Sequence, residues 1–549
     1  MVVESHPHAS RRRFARLAAA IATLAIISAT FATTGAAAPE RRASQAGGGE
    51  ITFGLEAETS LGFCLPSAQL AISGIQVVAA IYDTLVVPNS KGEMVPYLAK
   101  SVEPNADFTE WTITLREGVT FHDGTPVDAE AIKLNLDSYA GKNPDQSAPL
   151  FSALIGAYFS STEVVDPLTV KVVLSRSVHD YPSALYATGR LGMMAPAQIG
   201  AEDCSTNMIG SGPFKLVEWL QNERLVVEKN PDYWQPGYPK ADQITFIPQP
   251  DAPQRITALE GGELDMLHTS SGIQIARLRG LGNQFKLLTQ KPGFREIRYY
   301  FVNASKPPFD NPEAREALAL ALNREEINEI QNQGVFEVAN SIMDRKVPGY
   351  EKNAGYPKFN LKKAKAAVAA VEAESGPITV TLLTTNDTEN AREAQTIAQQ
   401  IEKAGMTADI QQVDQAALIG QALGGNFGIF LWRNLHGGSQ HPDFDTYSWF
   451  GLTEAGTPYL TNFGRITDTD LQALFDEGRG ASDINEIERI YKGVNERIAE
   501  IVGLIPVWYV DWTIASTPDV KVTLPKLPDG GGKPLFVYGR IPVLGLTKK

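Results

Sequence analysis

A strand, a tight reversal and a capped helix follow one another without interruption between Pro96 and Leu136 (PYLAKSVEPNADFTEWTITLREGVTFHDGTPVDAEAIKLNL). Any fold of this chain must bury both elements on a shared core. Trp111, Ile113 and Leu115 alternate with Thr112, Thr114 and Arg116, the period-two pattern of a half-buried strand. Asp123-Gly124 supplies the left-handed position that a tight reversal needs, and Thr125-Pro126 is expected to form the N-cap and first position of a helix. That helix carries Ile132, Leu136 and Tyr139 on one stripe.

With 549 residues, 43% of them hydrophobic and 20% charged, the chain has room for three or four units of about 150 residues. Its net charge of −14 and the lack of a basic stripe beyond the N-terminus argue against nucleic acid as a partner. The first residues read as a targeting segment. Arg11, Arg12, Arg13 and Arg16 precede an apolar run, Leu17 to Phe31, that is shorter than the roughly 20 residues a membrane span needs. Small residues from Gly35 to Ala38 offer a cleavage site. The string SRRRFAR at Ser10 to Arg16 also fits a twin-arginine signal, so Sec and twin-arginine export both stand open. Removing residues 1–37 takes away those four arginines and Glu4, and the charge of −14 becomes −17.

Both cysteines, Cys64 and Cys204, lie in the exported part. In an oxidising compartment an even count reads as one disulfide, here worth about 5 kcal/mol on the chain-entropy model. The alternative is two buried free thiols, and a 2 Da mass change on reduction separates the two.

The segment from Pro96 to Leu136 resembles, nearly residue for residue, the signature of the family 5 extracellular solute-binding proteins of ABC importers, the dipeptide, oligopeptide and nickel binders. Further blocks follow in the family's order. Ile51 to Leu55 reads as a strand, Leu70 to Tyr82 as a helix and Leu85 to Val87 as a second strand, with the loop Glu56 to Phe63 bordering the ligand cleft. GSGPFKLVEW from Gly210 and ERLVVEKNPDYW at Glu223 to Trp234 form the next block. Gly210-Ser211-Gly212 lacks the following Lys-Ser/Thr of a phosphate loop and is expected to be a crossing segment. A strand at Ile244 to Ile247 and a helix at Ala252 to Glu260 follow. The second half reads as α/β: a strand at Glu296 to Val302, a helix capped by Asn311 with Pro312 first, and a helix with Asn323 and Glu326 as a capping box. Strands at Ile378 to Leu383 and Ala408 to Val413 flank a helix that ends at Gly405, and Phe427 to Trp432 completes that sheet. Ile505 to Val510 is expected to be the strand that returns to lobe one.

The resemblance implies an α/β fold of the periplasmic-binding-protein type (class C, type II), with two lobes around a central cleft and an inserted subdomain. Expected boundaries are a signal peptide at 1–37 and a flexible leader at 38–49. Lobe I then takes 50–89, 210–294 and 503–549, the insert 90–209, and lobe II 295–502. A ligand in the cleft would close the lobes and be delivered to ABC permease subunits in the membrane. No cysteine sits near the cleavage site, so the lipid anchor common in the family is not expected.

In the peptide-binding relatives an acidic residue after the lobe-two strand anchors the peptide's ammonium, within a Trp-x-x-Asp-like motif followed by an acidic-Pro step. Here Trp432 and Pro442 match, but Gly438 falls near the place of the Asp, so Asp443 or Asp445 is expected to take over the pairing. Arg433 would pair with a ligand carboxylate. His436, His441 and Asp443 give H-x4-H-x-D, a set able to bind a transition metal or a metal chelate, which is the alternative ligand class. Trp432, Trp508, Tyr509 and Phe63 are candidate cleft aromatics, each equally suited to a core. Neither HExxH nor GxSxG occurs, so a secreted hydrolase is the weaker alternative. The sequence does not separate transport from sensing. The reading is therefore an extracytoplasmic binder of small peptides, not an enzyme, without cofactor or nucleic-acid partner and expected to be a monomer.

Overall fold

The computed structural model describes residues 48–433 and 439–549 apart from residues 60 and 69, so the expected signal peptide and His436 lie outside the described residues. The central strand of the first lobe, Glu50–Leu55, runs parallel to Gln243–Pro248 and to Met266–Thr269, with Phe53 opposite Phe246 on one side and Met266 on the other. Seven strands make this sheet. Their order is Lys286–Thr289, Thr513–Ser516, Met266–Thr269, Glu50–Leu55, Gln243–Pro248, Arg224–Lys229, Phe214–Leu220. Ile51, Phe53 and Leu55 are buried, as a strand between parallel neighbours requires.

The signature segment builds a separate four-stranded antiparallel sheet, ordered Ala99–Pro104, Glu110–Leu115, Thr169–Leu174, Phe159–Asp166. Trp111, Ile113 and Leu115 face its core, as their alternation predicts, and Ile132, Leu136 and Tyr139 of the helix Ala129–Tyr139 are buried with them. The cap differs from the expectation. Thr125 donates its backbone N–H and its hydroxyl to Asp123, and Pro126 bridges to Thr120, so both stay in the turn. Asp128 caps instead, accepting the N–H of Ala131 at 2.9 Å.

The second lobe holds five strands in the order Thr407–Val413, Thr379–Thr385, Ile429–Arg433, Ile297–Val302, Leu504–Tyr509. All six residues of Ile297–Val302 are buried. Ile297, Tyr299 and Phe301 face an aromatic core with Phe430 and Phe463, while Tyr300 and Val302 face the helices on the other side. The βαβ unit and the Gly405 C-cap are as expected, with the two flanking strands parallel. Asn323 caps its helix by accepting from Glu326 N, but the reciprocal half of the capping box goes elsewhere. The Asn323 N–H donates to Gln400, whose amide also donates to Glu326. The run expected to return to lobe one, Ile505 to Val510, is a correction: it lies in Leu504–Tyr509, paired antiparallel with Ile297–Val302 in the second lobe. The first-lobe strand is the next one, Thr513–Ser516. An apolar run buried on both faces fits either sheet, which is why its pattern cannot assign it.

Gly210 and Gly212 show why the crossing segment is glycine. A Cβ at either would lie 2.0 Å from the Ile81 carbonyl oxygen or 2.5 Å from its carbon. Cys64 and Cys204 form the expected disulfide, with Cα atoms 5.0 Å apart, tying the loop between the first strand and the helix Ile72–Ile81 to the segment before Gly210. Among the described residues no helix is long and apolar enough to cross a membrane.

Candidate functional site

The chain passes from first to second lobe at residues 290–296 and back at 510–512, and these crossings are bonded to each other. Gln290 N donates to the Trp512 carbonyl at 2.7 Å, Val510 N to the Glu296 carbonyl at 2.9 Å, and Trp512 Nε1 to Glu296 Oε1 at 2.7 Å. Arg295 clamps them further, reaching Asp344 at 3.0 Å and, on the returning segment, Asp511 at 3.3 Å. This pair of crossings is the floor of the cleft between the lobes.

Glu56 and Ser270 stand at the carboxyl ends of the parallel strands Glu50–Leu55 and Met266–Thr269, where open α/β sheets present ligand-binding groups. Arg433, at the end of the second-lobe strand, reaches across to both. Its Nη2 lies 2.7 Å from Glu56 Oε2, its Nη1 donates to the Ser270 hydroxyl, and its guanidinium lies over the Trp512 ring at 4.7 Å. Glu56 also accepts from Ser270 N at 2.9 Å and approaches Arg255 at 3.5 Å. Burial alone would raise the Glu56 carboxyl, but Arg433 and Arg255 outweigh it and hold the group down at about 2. Ser271 donates to Glu389, and Thr388 to Asp251, so the rims of the lobes also touch.

Beside this bridge lies a group of polar atoms that find no hydrogen-bond partner among the described residues: Glu296 Oε2, the Tyr299 hydroxyl and the Tyr538 hydroxyl are buried and unpartnered there, as is Trp432 Nε1. Tyr299, Tyr538, Asp445, Arg190 and Glu296 are close enough to influence one another's ionisation. Tyr538 and Arg190 come from the first-lobe side and the others from the second. Glu296 is pushed up to about 7, chiefly by burial, against the pull of Arg433 and the hydrogen bond from Trp512. Buried polar groups in folded proteins are nearly all satisfied, so several orphans in one interlobe space mark a place for a ligand.

The other residues singled out from sequence fall as follows. Arg433 bridges the two lobes but is engaged by Glu56 and Ser270, and Trp432 packs on the second-lobe core with its ring 5.1 Å from that of Phe430. Asp443 sits among protein groups, 3.3 Å from Arg479 Nε and accepting from Tyr491 Oη at 2.8 Å. His441 is buried between His179 and Tyr491, and burial pushes it down to about 4, so it is neutral. Its Nδ1 accepts from Asp443 N at 3.3 Å and its Nε2 faces the Ala481 carbonyl at 3.3 Å, which leaves neither nitrogen for a metal. Phe63 packs edge-on against Trp219 in the first-lobe core, and Trp508 is a core residue of Leu504–Tyr509. Glu56, Arg190, Glu296, Tyr299, Trp512 and Tyr538 carry no local motif, but a charged Glu296 opening an otherwise buried strand is a visible irregularity.

A separate cavity of about 60 Å³ lies behind the helix Ile72–Ile81, against residues 525–544. Its buried Asp83 accepts from Trp234 Nε1 at 2.8 Å and Tyr233 Oη at 3.1 Å. With its carboxylate satisfied, this cavity has less claim to a ligand than the interlobe group, despite its size.

Two α/β lobes joined by paired crossings, with unsatisfied polar groups facing each other from both, define a bilobal solute-binding protein. The family model for bacterial extracellular solute-binding proteins, family 5, matches residues 93–457, and the chain belongs to that family. Its members are extracytoplasmic solute-binding proteins, not a family of enzymes. The glutathione-binding protein GsiB of Salmonella paratyphi A is 31% identical over 319 residues, 58% of this chain and 60% of that protein. The fold is shared with the binding protein AgaA from A. tumefaciens R10 in complex with agropinic acid (TM-score 0.80, 24% identity, 91% of this chain and 99% of that one). It is shared equally with DppA from Helicobacter pylori in complex with the peptide STSA (TM-score 0.80, 20% identity, 92% and 99%).

Proposed function

We propose that this chain is the extracytoplasmic binding component of an ABC importer, that it closes its lobes on a short peptide or peptide-like zwitterion, and that it delivers this ligand to membrane permease subunits. The observation that carries the reading is the set of unpartnered buried groups held between the lobes. Acidic side chains, Glu296 with Asp445, lie close to Arg190 and to two tyrosine hydroxyls. A zwitterion brings one ammonium and one carboxylate to such a space, so opposite charges meet without leaving a net charge buried. The names of the relatives support ligands of this kind, glutathione and a peptide both being peptide-like amides. Export by the segment 1–37, without a lipid anchor, and action as a monomer complete the proposal.

The test is thermal denaturation of protein refolded to strip carried-over ligand, against glutathione, di- to pentapeptides, nickel, nickel chelates and sugars. A ligand that binds only the native state, at 100 times its dissociation constant, adds about 2.7 kcal/mol. A shift with peptide-like ligands supports the proposal. A shift confined to nickel or a chelate, or to sugars, overturns it.

A further inference from the structure

A peptide brings an ammonium into the cleft, and the carboxylates to weigh as its partner are Asp443 and Asp445, singled out from the sequence, and Glu296 on the crossing between the lobes. Asp443 is committed to Arg479 and Tyr491. Asp445 is engaged within the protein. Glu296 differs. Oε1 takes the Trp512 indole N–H at 2.7 Å, while Oε2 has no donor among the described residues, although the residue is fully buried. The nearest cation, Arg433, lies 3.6 Å from Oε1 and is shared with Glu56 and Ser270. A buried carboxylate oxygen with no donor is costly, and it persists where something outside the chain supplies the donor. The Tyr299 and Tyr538 hydroxyls, unpartnered too, stand on the two lobes near the same carboxyl.

Resting on the reading of this cleft as a peptide site, we propose that Glu296 is the specificity-determining contact for the ligand's primary ammonium. Oε2 accepts an N–H of the ammonium, with the two tyrosine hydroxyls completing its surroundings. The anchor has thus moved from the loop after Ile429–Arg433, where Gly438 stands, to the floor of the cleft. A consequence follows for protons. The charged and titratable groups around Glu296 are Arg433, Arg298, Arg190, Glu56, Tyr299 and Tyr538, with Asp445 acting on the same arginine and tyrosines, and with all of them in place burial holds the carboxyl up at about 7. An arriving ammonium favours the carboxylate, so the neutral carboxyl gives its proton to solvent as the ion pair forms. Affinity therefore rises with pH up to about 7 and falls again as the ligand's own ammonium loses its proton near about pH 8.

The experiment is calorimetric titration of the stripped protein with trialanine and with N-acetyl-trialanine. It compares wild type with Glu296→Gln, at pH 6 and pH 8, in buffers of different ionisation enthalpy. Acetylation is expected to weaken wild-type binding at least about tenfold and to weaken Glu296→Gln by less than about threefold. Wild type is expected to release part of a proton on binding trialanine at pH 6, a readout that needs no variant to fold. If acetylation costs both proteins equally, or if wild type binds trialanine at pH 6 with no proton release, Glu296 is not the anchor and the peptide reading stands. If neither trialanine nor any other di- to pentapeptide binds wild type at either pH, the peptide reading falls and the anchor with it.

Discussion

Asp443 and Glu296 are both carboxylates buried in the second lobe, and they have opposite company. Asp443 faces a guanidinium that also stacks on Tyr447 at 3.5 Å, and it accepts from a tyrosine hydroxyl. Glu296 has one indole N–H and an empty second oxygen. The difference separates structural charge from functional charge. A buried carboxylate with donors on both oxygens holds elements together, whereas one left short of a donor stores an interaction for a ligand. By the same measure the Arg433–Glu56 bridge belongs to the first kind, although it spans the cleft.

The comparison breaks most visibly at Arg479. Arg479→Ala leaves Asp443 buried without its cation and is expected to destabilise the protein by about 3 to 5 kcal/mol in chemical denaturation. Arg479→Met combined with Asp443→Asn, which removes both charges, should recover most of that loss. If the single substitution costs less than about 1 kcal/mol, Asp443 has another partner and the distinction drawn here is weaker.

At Glu296 the effect has another sign and depends on pH. Its folded value of about 7 exceeds the ordinary carboxylate value of 4.5, so between these limits the folded state binds the extra proton. Stability from this group is therefore full below pH 4.5 and declines as pH rises to about 7, by about 3 kcal/mol for a shift of this size. Glu296→Gln does not titrate. Denaturation of the stripped proteins at pH 4.5 and pH 7.5 should show the Gln variant gaining on wild type by that amount, and a constant gap would refute the assignment. Tyr491→Phe comes next: it removes one charged hydrogen bond from Asp443 while Arg479 remains, and about 2 kcal/mol should be lost by the same assay.

Much of this architecture was legible before any coordinates. The alternation at Trp111, Ile113 and Leu115, the caps at Asn311 and Gly405 and the parity of two cysteines each express a local rule, and local rules survive folding. Where two local rules competed, the choice was not visible: Thr125 was as good a cap as Asp128 until Asp123 took its hydrogen bonds. The cleft was least legible, for a geometric reason. Glu56 and Arg433 are 377 residues apart, and Glu296 and Trp512 meet only because two crossings lie side by side. Chain proximity to Trp432 points to an anchor in the following loop. Asp443 was there, but Arg479 and Tyr491, further along the chain, had already claimed it.

The smallest expected effect on stability is the most discriminating one. Tyr299 is fully buried in the strand Ile297–Val302 and its ring packs 5.1 Å from Phe301, so its area is worth as much to the core as any phenylalanine's. Its hydroxyl has no hydrogen-bond partner among the described residues. Tyr299→Phe therefore keeps the packing and removes only an unsatisfied group, and stability should change by less than about 0.5 kcal/mol or rise slightly. If the hydroxyl is reserved for a ligand, affinity for that ligand should fall by about 1 kcal/mol, roughly fivefold, as expected for one neutral hydrogen bond. Tyr491→Phe should do the reverse, lowering stability with affinity unchanged. Denaturation and calorimetry on this pair of otherwise identical substitutions measure the distinction directly. A Tyr299→Phe protein that loses about 1 kcal/mol of stability would place its hydroxyl in the scaffold rather than in the binding site.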